Sequence, residues 1–283
     1  MNGFINLYKP SGMTSFRAVA IVRRLTGEKS CGHCGTLDPN AVGILPVAVG
    51  KATKLSDVFL GFSKTYVAEM EFGKFSDTGD IWGNVGETEL KYADKAVFES
   101  VLPEFTGDIT QLPPAYSALK VGGTPAYKLA RKGQEVNLAP RIARIYSIEL
   151  IDYAWPRAII RVSCGRGTYI RTLCEDIAKR LGNTAVMTQL ERVSYGDMTK
   201  EMSVTLEELE NKGISEGDLI PMDSVLKDME KVLLDAKQSD DYRHGRTVLW
   251  DGSGKRRVYD SEGRLIGIAE IKNGSLRSDK NLE

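Results

Sequence analysis

An α+β fold follows from three features of the 283-residue sequence. Alternating segments such as KTYVAEMEFG (64–73) sit among segments of helical period, without the strict strand–helix repeat of a parallel α/β protein. Beyond residue 246, Asp-Gly, Ser-Gly, Glu-Gly and Asn-Gly pairs cut short apolar runs, which is the punctuation of β-hairpins. A hydrophobic content of 42% beside 27% charged residues is enough to build a sizeable core. The expectation is a mixed, mostly antiparallel sheet flanked by helices, with a small β-rich domain at the carboxy end.

The elements follow in order. GFINLY (3–8) reads as a strand closed by Lys9-Pro10-Ser11-Gly12, a turn in which Pro fixes φ and Gly permits a positive one. Thr14 or Ser15 then caps a helix carrying Val19, Ile21, Val22 and Leu25 at helical spacing. ILPVAVG (44–50) is an apolar strand, and KATKLSDVFLGF (51–62) returns to a helical period. Lys64–Gly73 is a strand with Tyr66, Ala68 and Met70 on one face, and Ala93–Leu102 a helix. AYKLARKGQEV forms a short basic helix, RIYSIELIDYA and AIIRVSC form strands, and Thr168–Leu181 a helix. The acidic stretch 203–241 reads as packing material leading to a linker. The domain limits expected are 1–221, with an insertion at about 111–140, and 230–283.

Several classes are excluded or disfavoured. The amino terminus lacks a basic n-region followed by an apolar run, and no segment approaches the roughly 18 apolar residues of a membrane span. A cytoplasmic, monomeric protein with no membrane contact is expected, its four cysteines reduced. Basic and acidic residues balance at 38 each, yet they are segregated. Residues 115–171 hold ten Lys or Arg against three acids; residues 201–241 hold twelve acids against four Lys. The first region has an electrostatic reason to meet phosphates, although solvated opposite surfaces would leave the same pattern.

The stretch CGHCGTLDPNAVGIL (31–45) offers two working groups, the thiols or the carboxylate of Asp38. A thiol redox pair needs its first Cys at a helix amino terminus, and here Gly35 and Pro39 follow with no periodic helix. A zinc site needs four ligands, and Cys164 and Cys174, ten apart around a glycine turn, match no common knuckle. Asp38 lies among Gly32, Gly35 and Gly43, where backbone can approach a ligand closely, although a loop Asp also serves as a cap or turn residue.

Six segments taken together resemble the TruB family of bacterial tRNA pseudouridine synthases, which modify uridine 55 of the TΨC arm. They are NLYKPSGMTS (6–15), GHCGTLDPNAVGILPVAVGKATKL (32–55), KTYVAEMEFG with SDTGD (64–80), QLPPAYSALKVGGTPAYKLARKG (111–133), SCGRGTYIRTL (163–173) and RLIGIAE (264–270). The second fits the family pattern GHxGxLDPxAxGxLxVxxGxATK. The resemblance covers nearly the whole chain.

What the resemblance implies is specific. Asp38 is the catalytic carboxylate, Arg171 in GTYIRT its cationic partner, and Tyr66 the aromatic that stacks on the target base and is a candidate for proton removal from C5. No metal or organic cofactor is implied. His33 helps extract the base, Tyr169 is a second pocket aromatic and Leu190 an apolar pocket wall. Lys9, Lys54 and Asp80 coincide with family positions near the catalytic floor or the RNA. Lys120, Lys128, Arg131 and Lys132 fall in an RNA-gripping insertion. The partner is tRNA, held at its T-arm and, through a short PUA-like domain, at its acceptor stem. Cys31 and Cys34 stand where the family more often has other small residues. Two alternatives stay open at this point: a relative that binds RNA without chemistry, and a thiol or zinc protein.

Overall fold

A computed structural model describes residues 1–283. A ten-stranded mixed sheet forms its centre, in the order Val204–Thr205, Gly3–Lys9, Val42–Val49, Ala185–Tyr195, Lys64–Phe72, Arg157–Cys164, Arg141–Ala154, Gly107–Gln111. Cys31–His33 and Met198–Thr199 join at the sides. Most neighbours are antiparallel; Val204–Thr205 against Gly3–Lys9 and Ala185–Tyr195 against Val42–Val49 are parallel. In Lys64–Phe72 every second residue from Lys64 is buried, so the alternation in the sequence corresponds to one face turned to the core.

Two helices cover the sheet where the site forms. Thr14 caps Ser15–Thr26 by accepting the Arg17 amide, and Gly27, at φ 68°, closes it. Ala18, Val19 and Val22 are its buried stripe. Ile170–Arg180 buries Leu173, Cys174, Ile177 and Ala178 in the same core.

The structure departs from the sequence expectation in four places. Residues 51–62 do not form an α-helix but two 3₁₀ turns, Gly50–Leu55 and Val58–Gly61. Thr53 and Ser56 donate their hydroxyls to the carbonyls of Gly50 and Thr53 at 2.8 and 2.9 Å, drawing the backbone into the tighter turn. Ala185–Tyr195, in mid-sheet, is not apparent as a strand in the sequence. Bulges between Met187 and Gln189 and between Arg192 and Ser194 break its period of two. The edge strand Gly107–Gln111 is likewise an addition to the expected elements. The acidic stretch does more than link: Val204–Thr205 extends the main sheet, and Phe4 and Ile220 exchange backbone hydrogen bonds at 2.9 and 2.7 Å.

A second sheet of five strands spans Lys231–Leu233 to Ser275–Asn281 around Val232, Tyr242, Val258, Ile266, Ile271 and Leu276. Asn273 and Gly274, at φ 51° and 72°, make the tight two-residue turn of its last hairpin. Ile268 and Leu282 enter a separate apolar cluster with Phe4, Phe59 and Tyr195, which seats this sheet against the first. Lys54 donates to the Asn281 carbonyl at 2.6 Å, and Lys280 reaches back to the Lys54 carbonyl and to Asp57, both at 2.7 Å.

Gly43 marks a close approach. Its φ is 107°, and a Cβ there would lie 2.2 Å from the Arg192 carbonyl oxygen. Gly43→Ala is therefore expected to cost about 3 kcal/mol of stability, measured by urea denaturation; a loss below about 0.5 kcal/mol would contradict the packing.

Candidate active site

The loop carrying Asp38 is held from three directions. Lys9 is completely buried, and its ammonium donates to the carbonyls of Pro10 and Met13 at 2.8 Å and of Pro39 at 2.9 Å. All three of its protons are thereby spent on backbone, and burial lowers its pKa to about 8. Ser15 exchanges hydrogen bonds with Leu37: its hydroxyl accepts the Leu37 amide at 2.9 Å and donates to the Leu37 carbonyl at 3.1 Å. Arg192 donates to the carbonyls of Gly35 and Thr36 from behind. The loop is thus clamped on both sides of Asp38.

Asp38 keeps 40% of its side-chain exposure, whereas Arg171 keeps 6%. The Arg171 Nε stands 3.1 Å from the Asp38 carboxylate and its Nη1 3.7 Å from that of Asp80. The remaining reach of the guanidinium goes to the carbonyls of Thr78 at 2.7 Å and Tyr116 at 3.0 Å. Desolvation raises the Asp38 pKa above the usual carboxylate range; Arg171 and Lys9 oppose this and Asp80 adds to it. Asp80 is fixed in turn by the Thr78 hydroxyl at 2.7 Å and the Trp82 amide at 3.1 Å.

Tyr66 lies in the core face of its strand, paired in register with Val162 on one side and Arg192 on the other. Burial raises its pKa, with the Arg192 charge opposing. Leu190, buried on the adjacent strand, pairs with Ala68. Tyr169 immediately precedes the helix that carries Arg171, and the Gln111 side chain fixes its backbone by bonding to both its amide and its carbonyl. His33 ends the Cys31–His33 strand with its Nδ1 buried and unpartnered; desolvation and Arg192 lower its pKa, favouring the neutral ring.

The structure therefore gathers Asp38, Arg171 and Asp80 directly. It assigns Lys9 to a buried backbone clamp and Lys54 to the strap onto the last strand. Lys120, Lys128, Arg131 and Lys132 lie on the 120–125 hairpin and the short helix Ala126–Ala130 with its C-terminal turn, outside the core. None of the four has a carboxylate partner, and Arg131 lies 5.7 Å from the Tyr127 ring centre. A cavity of about 390 Å³ opens beside Arg171 between the insertion and helix Ile170–Arg180, lined by Thr78, Pro113, Leu138 and Glu175 among others. Asp38 does not line it.

Sequence reading overlooks Arg192 and Lys64, both buried cations. The available signal is a charged residue within a strand of mixed polarity, which resembles any solvent-facing position until the strand is seen to be central. The cysteines fare as fillers. Cys31 packs against the main core, while Cys34 is buried in the separate cluster around Phe59 and Tyr195, and all four cysteines are free thiols. No group of three or more His, Cys, Asp or Glu side chains comes together as a metal-binding set.

Comparison with known proteins identifies the family. The amino-terminal domain model of TruB family pseudouridylate synthases matches residues 23–170. The model of the tRNA pseudouridylate synthase B C-terminal domain matches 171–234, and that of the TruB pseudouridine synthase II C-terminus matches 231–280. The tRNA pseudouridine synthase B of Dechloromonas aromatica is 42% identical over 287 residues, spanning 100% of this chain and 95% of its own. That of Cupriavidus metallidurans is 39% identical over 294 residues, spanning 99% and 94%. In the crystal structure of a Cbf5-Nop10-Gar1 complex, one chain superposes with a TM-score of 0.75 at 25% identity, covering 99% of this chain and 85% of that one. Fold and family matches together define a pseudouridine synthase. The chain belongs to the TruB family.

Burial pushes the thiols of Cys34 and Cys174 up to about 12 and that of Cys164 to about 11. At pH 7.5 a disulfide reagent such as DTNB is expected to titrate at most Cys31 in the folded protein and all four thiols in guanidinium. Rapid native reaction of two thiols would contradict the burial of Cys34.

Proposed function

We propose that this protein converts uridine 55 in the T-loop of tRNA to pseudouridine, with Asp38 as the catalytic carboxylate. The observation that carries the proposal is the Asp38–Arg171 pair at 3.1 Å, on a clamped loop in a chain of this family. The reaction breaks the bond between N1 and C1′, turns the base and rejoins it through C5. The first half resembles glycoside cleavage, in which a nearby anion stabilises or traps an oxocarbenium-like sugar. Two routes are open to Asp38: attack on C1′, or removal of a proton from C2′ to give a glycal. Arg171 keeps the carboxylate ionised, since a guanidinium is never deprotonated.

Tyr66 and Leu190 are assigned to the walls that hold the base, with Tyr169 beside Arg171. His33 is assigned to the extruded state, because a uridine inside a folded loop is reachable only when flipped. The unpaired cations of the insertion are assigned to RNA phosphates. Residues 1–221 act as the catalytic domain and 230–283 as a short PUA-like domain resting on the acceptor stem.

Asp38→Asn is expected to abolish tritium release from C5-labelled uridine in a T-arm stem-loop while stem-loop binding persists. Full release by that variant would remove Asp38 from the chemistry, and absence of release by the wild type would favour an RNA-binding relative without activity. The ionised carboxylate is the active form, so the rate should fall as pH drops through the raised Asp38 pKa. Arg171 lowers that pKa, so Arg171→Met should move the acid limb to higher pH; an unmoved limb would contradict the pairing. Replacing Lys120, Lys128, Arg131 and Lys132 together with Ala should flatten the slope of log binding constant against log salt by about three, and an unchanged slope would place the phosphates elsewhere.

A further inference from the structure

Arg192 is 1% exposed, and every hydrogen bond it makes ends on a neutral oxygen. Its Nε donates to the Ile44 carbonyl at 2.6 Å and its Nη2 to that of Gly35 at 3.2 Å. Its Nη1 lies 3.4 Å from the Thr36 carbonyl and 3.5 Å from the Tyr66 hydroxyl. No carboxylate pairs with it. The guanidinium also lies over the π face of Tyr195, at 4.8 Å, a ring it shares with the Lys64 ammonium at 4.4 Å.

Burying an uncompensated cation is expensive. The five donors of a guanidinium can brace the three carbonyls of Ile44, Gly35 and Thr36, which the two donors of a neutral amide could not. The contact with Tyr66 lies outside that bracing. A guanidinium has five donors and no acceptor, so across that contact the Tyr66 oxygen must accept. The hydroxyl hydrogen then points elsewhere and is polarised by the adjacent charge.

We propose that Arg192 is a positioning residue for the isomerisation, orienting and polarising the Tyr66 hydroxyl so that it donates to the uracil anion. This rests on the function proposed above. When the N1–C1′ bond breaks, its electron pair stays with the base, which becomes an anion. The Tyr66 hydroxyl lends that anion a charge-assisted hydrogen bond, and Arg192 transfers no proton. The cation is left unpaired because a carboxylate beside it would cancel its field at Tyr66.

The test compares wild type, Arg192→Met and Arg192→Lys, at a temperature where each is folded by circular dichroism. The readouts are stem-loop Kd and the single-turnover rate of tritium release. Arg192→Met is expected to keep Kd within about twofold while the rate falls about thirtyfold, and Arg192→Lys, which keeps the charge, to recover at least a third of the wild-type rate. An unchanged rate in Arg192→Met, or loss of rate and binding together in both variants, would reduce Arg192 to a structural brace and overturn the proposal. If Arg192→Met does not fold, Arg192→Lys decides alone: a rate loss confined to turnover and growing at alkaline pH, where the substituted ammonium loses its proton, supports it, and any other result overturns it. Wild-type protein that releases no tritium would instead defeat the proposed function.

Discussion

The proposed chemistry requires Asp38 to remain ionised where desolvation favours its neutral form, and the buried Arg171 guanidinium at 3.1 Å opposes that tendency. Burying Arg171 has its own cost, which is offset only if its donors are satisfied. They are satisfied by separate segments: the Asp38 loop, Asp80 and Thr78 in the 76–83 turn, and Tyr116 at the root of the insertion, with Arg171 itself on a helix. One buried guanidinium thus ties the positions of distant stretches to each other. Lys9, Ser15 and Arg192 then keep the Asp38 loop from following its charge out toward water.

The opposite ends of the chain serve the same geometry. The amino-terminal strand supplies Lys9, and the carboxy-terminal sheet packs Ile268 and Leu282 into the cluster with Phe59 and Tyr195. Tyr195 donates its hydroxyl to the Cys34 carbonyl at 3.1 Å, one residue before the Gly35 carbonyl that Arg192 holds. Between Gly35 and the Tyr195 ring there is no room to spare: a Cβ on Gly35 would meet the ring at 2.9 Å. The glycine is there for packing behind the loop as much as for access in front of it.

The edges of this arrangement are legible in the sequence and its middle is hidden. Lys64–Phe72 alternates cleanly because one face meets the core, and Thr14 and Gly27 bracket their helix with ordinary capping chemistry. Asp38 can be singled out from its glycine-rich setting but not separated from a turn residue without the family resemblance. Ala185–Tyr195 escapes because two bulges and the polar run Thr188, Gln189, Glu191, Arg192 disguise a central strand as an exposed one. Arg192 escapes with it. Lys9 and Lys54 are legible as positions of interest, yet the atoms each touches depend on long-range packing: a loop thirty residues away for one, the final strand for the other. The two thiols of the CxxC draw notice by spacing alone, and spacing does not reveal that they pack into different clusters.

The most direct test of the central claim is to map the product. An unmodified tRNA transcript incubated with the protein, treated with a carbodiimide that marks pseudouridine and read by primer extension, should show one new stop, at uridine 55 of the T-loop. No stop, or a stop at another uridine with position 55 untouched, would contradict the assignment.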